Sequence, residues 1–175
     1  MAVSPLHAYT VDSLRLALAF VEDGSDGREF LRRRLSEYDG GAWVRAAPLV
    51  DPMLRMEART LLLALIDGRE SEMPVAVNFE VRRHGKRVVV ARSGTPRDLF
   101  LYALVQAVQT VGLEKLRVCR AADRRVAGGV CGRLFLRVTN KEHCSTRCQS
   151  REYMRNMRAN QANRLKKRSS HVKTR

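Results

Sequence analysis

The sequence predicts an α+β protein in two parts, an N-terminal α+β domain over residues 1–116 and a smaller module over residues 117–168. Three segments with apolar residues at helical spacing, together with two strand-like runs joined by a tight turn, predict the first part. The second part is distinct because all four cysteines lie within 30 residues and a long basic segment follows them. Residues 169–175 are predicted to be a disordered basic tail.

The first element of the N-terminal part fits two interpretations. Large apolar residues alternate with smaller or polar ones from Leu14 to Phe20, which favours a strand. Leu14, Leu18 and Val21 would also serve one face of a helix. The sequence alone leaves this element open.

Three helices are predicted further along the chain. Arg28 to Tyr38 has an apolar side surrounded by basic residues, and a glycine pair ends it before an irregular stretch at Trp43 to Pro48. The second helix begins at Asp51, where a capping acid precedes proline. The third begins at Thr95 with a capping hydroxyl and a proline. Because residues 99–111 are almost entirely apolar, we expect this helix to be the most buried.

A small antiparallel sheet is predicted between the second and third helices. Its two strand-like runs are Val75 to Arg82 and Arg87 to Arg92. His84, Gly85 and Lys86 join them as a tight hairpin, in which glycine adopts the backbone conformation that such turns require. His84 is then a turn residue and not a metal ligand.

Positive charge is concentrated in the C-terminal part. The chain has 33 basic and 18 acidic residues, for a net charge of +15. Residues 117–175 contain 17 of the basic but only three of the acidic residues, so this part carries +14 and the remaining 116 residues carry +1. Such a field favours polyanions, nucleic acid first and an anionic membrane surface second. A basic segment that only promotes solubility is the alternative.

Several functional classes are not expected from the sequence. No apolar run approaches the about 18 residues that cross a bilayer, and the first 30 residues lack the apolar core of a signal peptide. We therefore expect a cytoplasmic protein without a membrane partner. Nucleophile elbows, Walker loops, paired-histidine motifs and glycine fingerprints are absent, so no catalytic residue is predicted and the protein is not expected to be an enzyme.

The cysteines predict a zinc site. Tetrahedral Zn²⁺ takes four soft ligands, and here they are Cys119, Cys131, Cys144 and Cys148. Cys131 begins a Cys-Gly-Arg turn, in which backbone amides can point at the sulfur. The strand-like residues 134–138 then lead into a turn at 139–141, which places the ligands at the two ends of a hairpin. Unligated cysteines and a disulfide framework are the alternatives, and the lack of a secretion signal disfavours disulfides.

The fourth ligand is less certain from spacing alone. Eleven residues separate Cys119 from Cys131, whereas an ordinary zinc knuckle separates its cysteines by two to four residues. Either a loop bulges out between two true ligands, or His143 replaces Cys119. We favour Cys119, because His143 is adjacent to Cys144 and neighbouring side chains of an extended chain point to opposite sides.

The cysteine segment also resembles a known family. Cys131-Gly-Arg-Leu-Phe-Leu followed by Cys144-Ser-Thr-Arg-Cys148-Gln-Ser-Arg is similar to the C-terminal zinc finger of the CGNR family. In that family a Cys-Gly-x-Leu-Phe knuckle precedes Cys-Ser-x-x-x-Cys-Gly-Asn-Arg, so this chain has Gln149 and Ser150 in place of Gly-Asn and a spacing one residue shorter. The resemblance covers the last third of the chain well and the rest in outline. It implies an ABATE-like N-terminal domain and a role in stress-induced transcriptional regulation.

A long basic helix is predicted from Gln149 to about Lys167, with Cys148 at its positive end. Four arginines lie four, four and three residues apart on it and share one face. We expect them to project away from the cysteines and to contact nucleic acid, whereas Tyr153, Met154 and Met157 cover the hairpin or the N-terminal domain. The predicted nucleic-acid contacts are Arg147, Arg151, Arg155, Arg158, Lys166, Lys167 and Arg168. A solvated charged face is the alternative.

These features together predict a treble-clef-like zinc finger that ends in a basic helix. The predicted function is nucleic-acid binding, with DNA favoured over RNA, and the family resemblance narrows it to transcriptional regulation. A zinc-stabilised adaptor for protein interactions is the alternative from another class, and RNA binding is a further one. A protein partner or a small effector for the N-terminal domain stays open.

Overall fold

In the computed structural model, residues 5–35, 49–123, 125–126, 128–137 and 140–172 are described. The chain divides into two compact units, Met1–Leu116 and Arg117–Arg175. The described residues form five α-helices and two sheets of two strands each. This mixture agrees with the predicted α+β class.

Four helices build the first unit, and α1 contacts the other three. They are α1 (Pro5–Asp23), α2 (Arg28–Arg34), α3 (Pro52–Ile66) and α4 (Pro96–Val111). Three phenylalanines mark the centre of the core: the ring centroids of Phe20 and Phe100 lie 4.7 Å apart, and those of Phe30 and Phe100 lie 5.0 Å apart. The core therefore joins α1, α2 and α4.

The residues from Leu14 to Phe20, whose alternating pattern favoured a strand, belong to helix α1. Its buried side chains follow helical spacing and are those of Thr10, Val11, Ser13, Leu14, Ala17, Leu18, Phe20 and Val21. Alternation was misleading because α1 packs against three helices, so a small residue such as Ala17 is fully buried between the leucines.

The predicted helix starts at Asp51 and Thr95 are confirmed. The Asp51 side chain accepts a hydrogen bond from the Met53 amide, and the Thr95 side chain accepts one from the Asp98 amide. Nine residues of α4 are buried, as the apolar sequence of that helix predicts. Helix α2 ends earlier than predicted, because Leu35 has an extended backbone. The rest of that prediction, the glycine stop and the irregular stretch, lies outside the described residues.

The predicted hairpin is present, with β1 (Asn78–His84) antiparallel to β2 (Arg87–Ser93). Strand β1 begins three residues later than predicted, and His84 is its last residue and not a turn residue. His84 pairs with Arg87, so Gly85 and Lys86 form a two-residue turn, and Gly85 has a φ of +61°. The Phe79 ring lies against Tyr102 of α4, with centroids 5.8 Å apart. The apolar side chains nearer the turn are exposed.

The second unit contains a short sheet and a long helix. Strands β3 (Leu116–Val118) and β4 (Leu134–Leu136) pair with each other, and α5 spans Thr146–Val172. The helix includes residues 169–172, which the sequence assigned to a disordered tail. It continues because residues 146–172 contain neither proline nor glycine. Residues 173–175 lie outside the described part of the chain. Within the described part, no helix is long and apolar enough to cross a membrane.

Candidate metal centre and basic groove

The four cysteines meet at one point of the second unit. Their sulfur atoms all lie within 4.8 Å of one another. The Cys131 and Cys144 sulfurs are 3.7 Å apart, and those of Cys144 and Cys148 are 3.5 Å apart. All four are free thiols, of which Cys119 and Cys148 are buried. The structure therefore brings together the four predicted ligands.

The sulfur separations fit a shared metal ion. With metal–sulfur bonds of about 2.3 Å, tetrahedral geometry places neighbouring sulfurs about 3.8 Å apart. A disulfide would require about 2.05 Å between two of the sulfurs. The separations of 3.5 and 3.7 Å match the first arrangement and exclude the second. The cluster could accordingly hold a metal ion with four thiolate ligands.

The long Cys119–Cys131 spacing is explained by a hairpin that continues beyond the ligands. The Cys119 amide donates to the Arg133 carbonyl at 2.8 Å, and the Gly132 amide donates to the Cys119 carbonyl at 2.9 Å. Cys119 and Cys131 are thus neighbours across two strands, and the residues between them extend outward as a loop. His143 is not part of the cluster, and its buried Nδ1 has no hydrogen-bond partner among the described residues.

The turn at Cys131 has the glycine conformation and the amide–sulfur contact that the sequence predicts. Gly132 has a φ of +69°, which favours glycine, and the Arg133 amide hydrogen-bonds the Cys131 sulfur. Burial nevertheless raises the pKa of the Cys131 thiol, and the amide only partly offsets it. Burial and the neighbouring sulfurs also raise the pKa of Cys144.

Cys148 differs because it lies in the first turn of α5. Burial acts to raise its pKa, but hydrogen bonds from Ser145 and the other thiols outweigh burial and lower the pKa. The Ser145 hydroxyl oxygen also accepts a hydrogen bond from the Cys148 amide at 3.3 Å and so caps the helix. The positive end of the helix faces this sulfur, which favours a thiolate there.

The buried cluster around the ligands in the second unit is small, and four of its six residues are the cysteines. Cys119 and Cys148 are buried together with Ala121 and Phe135, and the other two cysteines pack against this group. So few apolar side chains contribute little burial energy by themselves. A bound ion would therefore stabilise the fold of this unit as well as its cysteines.

Residues 120–130 form the segment that we call the knuckle loop, of which all but residues 124 and 127 are described. Its base is closed by pairing of Ala122 with Val130. The Asp123 amide donates to the Gly129 carbonyl at 2.8 Å, and the Asp123 carboxylate accepts from the Arg125 amide at 3.1 Å. The loop is thus a defined hairpin tip with its own hydrogen bonds.

The knuckle loop is fastened to α5 by two adjacent helix residues. Arg151 forms an ion pair with Asp123 and donates to the Ala122 carbonyl at 3.5 Å. The Glu152 carboxylate accepts from the Ala122 amide at 3.4 Å. The Arg151 guanidinium lowers the pKa of Asp123. The expectation that every arginine of the row projects away from the cysteine hairpin is wrong for Arg151.

A concave surface, here called the basic groove, lies between the knuckle loop and α5. Its volume is about 750 Å³. Its lining residues are Ala122, Asp123, Arg125, Arg147, Ser150, Arg151, Met154, Arg155 and Arg158. Arg155 forms an ion pair with Glu152 at 2.5 Å. Among the described residues, Arg147 and Arg158 have no carboxylate partner. All four arginines of the predicted row therefore face one groove.

Beyond Glu152 the described side chains of α5 are exposed, and Met154, Arg155 and Arg158 among them line the groove. All residues from 153 to 163 are exposed, including Tyr153 at 62% and Met157 at 41%. Tyr153, Met154 and Met157 are therefore not buried against the hairpin of their own unit, although the sequence led us to expect it, and of the three only Met154 lines the groove. Lys166, Lys167 and Arg168 belong to α5, and their side chains lie outside the described part.

Sequence reasoning missed three residues of this site: Asp123, Arg125 and Glu152. A signal was nevertheless present, because residues 117–175 contain only three acidic residues. Two of these acids fasten the knuckle loop to α5. A rare acid within a strongly basic module is a reasonable candidate for a structural partner of arginine.

Comparison with known proteins adds no relative from which a role could be transferred: no family model, no curated protein and no solved structure matches this chain.

Proposed function

We propose that the protein binds nucleic acid, with duplex DNA as the preferred ligand, through a basic helix that a zinc ion anchors. The observation that carries the proposal is the arginine row of α5, which faces one groove and continues into an exposed helix.

Zinc is the ion that the ligand set favours. Four thiolates form a closed tetrahedral set without an open position, which is typical of structural zinc sites. The proposed ligands are Cys119, Cys131, Cys144 and Cys148, whose sulfurs have the spacing that such a site needs. A knuckle hairpin followed by a ligand-bearing helix also supports the treble-clef arrangement. The ion would fix the start of α5 to the hairpin.

Duplex DNA is favoured by the dimensions of α5. The helix has 27 residues and is about 40 Å long. With its side chains a helix is about 10–12 Å wide, and the DNA major groove is about 12 Å wide. The major groove of A-form RNA is deep and narrow and does not admit side chains in this way. An exposed basic helix therefore suits DNA better than double-stranded RNA.

The resemblance to CGNR zinc fingers supports a narrower role in transcriptional regulation. It depends on the Cys131-Gly-Arg-Leu-Phe knuckle and on the Cys144 to Arg151 segment. We include regulation in the proposal on that basis. An effector or protein partner for the N-terminal unit would be consistent with such a role.

A protein-interaction adaptor is the second candidate, and one observation favours it. Tyr153, Met154 and Met157 are exposed on α5, and aromatic and methionine side chains are enriched at protein interfaces. In that case the zinc ion would only stabilise a docking helix. Salt dependence separates the two functions, because phosphate contacts weaken steeply with salt whereas apolar docking does not.

The test compares two double variants that remove equal charge. Arg147→Ala with Arg158→Ala removes two groove arginines, and Arg120→Ala with Arg137→Ala removes two exposed arginines outside the groove. Binding of mixed-sequence duplex DNA and of RNA is measured by fluorescence anisotropy at several salt concentrations. We expect only the groove variant to lower the slope of log affinity against log salt, by about 1.8.

Three outcomes would contradict the proposal. If the wild type binds neither nucleic acid, the adaptor is favoured. If RNA is bound more tightly than DNA, the preferred ligand is wrong. If the groove variant and the control variant behave alike, the arginine row is a solvated face and does not contact nucleic acid.

A further inference from the structure

The basic groove has two walls, and only one of them belongs to the helix. Helix α5 contributes one wall, and Ala122, Asp123 and Arg125 of the knuckle loop contribute the other. We propose that this groove holds a run of linked phosphates, as in the backbone of one DNA strand, and that Arg125 contacts it from the loop side. This inference rests on the proposed function and adds a second contact surface to it.

The charges of the groove favour an anion. Arg125, Arg147 and Arg158 line it without an ion-pair partner among the described residues. The Asp123 carboxylate is engaged by Arg151 and by the Arg125 amide, and it also attracts the Arg125 guanidinium through space, but one carboxylate among five lining arginines leaves the groove positively charged. Guanidinium groups present a planar set of donors that matches phosphate oxygens. Phosphate is therefore the ligand chemistry that fits these side chains.

The length of the groove favours a chain of phosphates over a single one. Arg147 and Arg158 are eleven residues apart, which corresponds to about 16 Å along α5. One small anion cannot reach both side chains at once. A DNA strand carries one charge per about 3.4 Å of duplex axis and can meet several arginines together. The volume of about 750 Å³ leaves room for such a segment.

Hydrogen bonds within the protein hold the knuckle-loop wall of the groove in place. Ala122 is fastened to α5 through both its amide and its carbonyl, and Asp123 hydrogen-bonds the Arg125 amide. These contacts fix the backbone that carries Arg125. A loop backbone held in place loses less conformational entropy on binding than an unstructured loop does. The eleven-residue insertion between Cys119 and Cys131 thus acquires a role that the metal ion does not require.

The position of the groove along α5 is consistent with binding the phosphates of a DNA strand. Its lining residues on α5 run from Arg147 to Arg158, so the groove overlaps the start of the exposed segment that begins at residue 153. If that segment enters a major groove, the phosphate strand that borders the groove passes the start of the helix. The same phosphates would then lie between α5 and the knuckle loop.

The experiment uses the full-length, metal-loaded protein and three single variants. They are Arg125→Ala, Arg125→Lys, and Arg137→Ala as a control with equal charge loss outside the groove. Affinity for mixed-sequence duplex DNA is measured against salt concentration. We expect Arg125→Ala to lower the salt slope by about 0.9 and to weaken binding about fivefold near 0.15 M salt. Arg125→Lys should keep the slope, and Arg137→Ala should change neither quantity beyond a small effect.

Competition with inorganic phosphate and with long-chain inorganic polyphosphate identifies the source of the phosphates. The inference predicts that inorganic phosphate at equal charge does not displace DNA. Polyphosphate that displaces DNA from the wild type, and less effectively from Arg125→Ala, supports a groove for linked phosphates. If Arg125→Ala and Arg137→Ala bind DNA alike, the loop wall makes no contact and the inference is overturned while the proposed function stands. Absence of DNA binding by the wild type would overturn both.

Discussion

Arg151 in α5 forms an ion pair with Asp123 in the knuckle loop, 28 residues earlier in the chain. Asp123 also hydrogen-bonds the Arg125 amide within the loop. One carboxylate therefore shapes the loop and fastens it to the helix. Among the four arginines of the row, Arg151 consequently has a role within the protein, whereas Arg147 and Arg158 are available to a ligand in the part of the chain that is described.

The first prediction is that Arg151 and Asp123 act as a pair. Replacing either residue with alanine should release the knuckle loop, and the double variant should release it no further, because the shared interaction is already lost. Hydrogen exchange of the loop amides measures the release. Arg158→Ala serves as the control, since Arg158 lines the groove but, among the described residues, forms no ion pair with Asp123 or Glu152. Additive effects of the two changes would show that the pair does not hold the loop.

The second prediction concerns metal binding. We expect about one zinc ion per chain, and loss of tight binding in Cys119→Ser, because Cys119 provides one of the four clustered sulfurs. His143→Ala should keep the ion. Metal analysis of protein purified without added zinc measures both variants. Retention of zinc by Cys119→Ser together with its loss in His143→Ala would reverse the ligand assignment.

The third prediction is that acid weakens metal binding. Burial raises the pKa of Cys131, and burial with the neighbouring sulfurs raises that of Cys144, so both thiols keep their protons at neutral pH without metal. The ion must displace at least these two protons. Apparent affinity should therefore fall by at least about a hundredfold for each unit that pH falls. Competition with a chromophoric chelator from pH 6 to 8 tests this, and a flat profile would contradict it.

The fourth prediction is that residues 1–116 fold without the C-terminal unit. Their core contains Phe20, Phe30 and Phe100 within one helical group, and none of the four cysteines belongs to this segment. The fragment should unfold cooperatively and be insensitive to chelators. Phe100→Ala should destabilise it by about 3–5 kcal/mol. Denaturant unfolding followed by circular dichroism measures both, and a non-cooperative transition would indicate a core shared with the second unit.

Local chemistry explains which parts of the fold were predictable. The caps at Asp51 and Thr95 and the turn at Gly85 involve neighbours in sequence, so their residue types reveal them. Helix α1 was ambiguous because its burial depends on three other helices that the local pattern does not record. The features of this fold that could be predicted are therefore those that depend on contacts between close neighbours in the sequence.

For the candidate site, too, the sequence predicted only the part that local residue types define. The cysteines are recognisable because a thiolate cluster needs one residue type at restricted spacing. The pairing of Arg151 with Asp123 depends on how a loop folds back against a helix. Tyr153 is exposed, although its helical spacing with Met154 and Met157 predicted a covered face, because spacing does not show whether a partner surface is present within the unit.

The β1–β2 hairpin has a consequence for the protein at high concentration. Val81 and Val88 are each 74% exposed on it, and neither strand has a second neighbour in the described part of the chain. Open strand edges with apolar side chains are templates for aggregation. Arg83, Lys86 and Arg87 near the tip oppose this by mutual repulsion between molecules, and ionic strength screens that repulsion. The high salt that releases bound polyanions should therefore also promote self-association, which light scattering across a salt series would reveal.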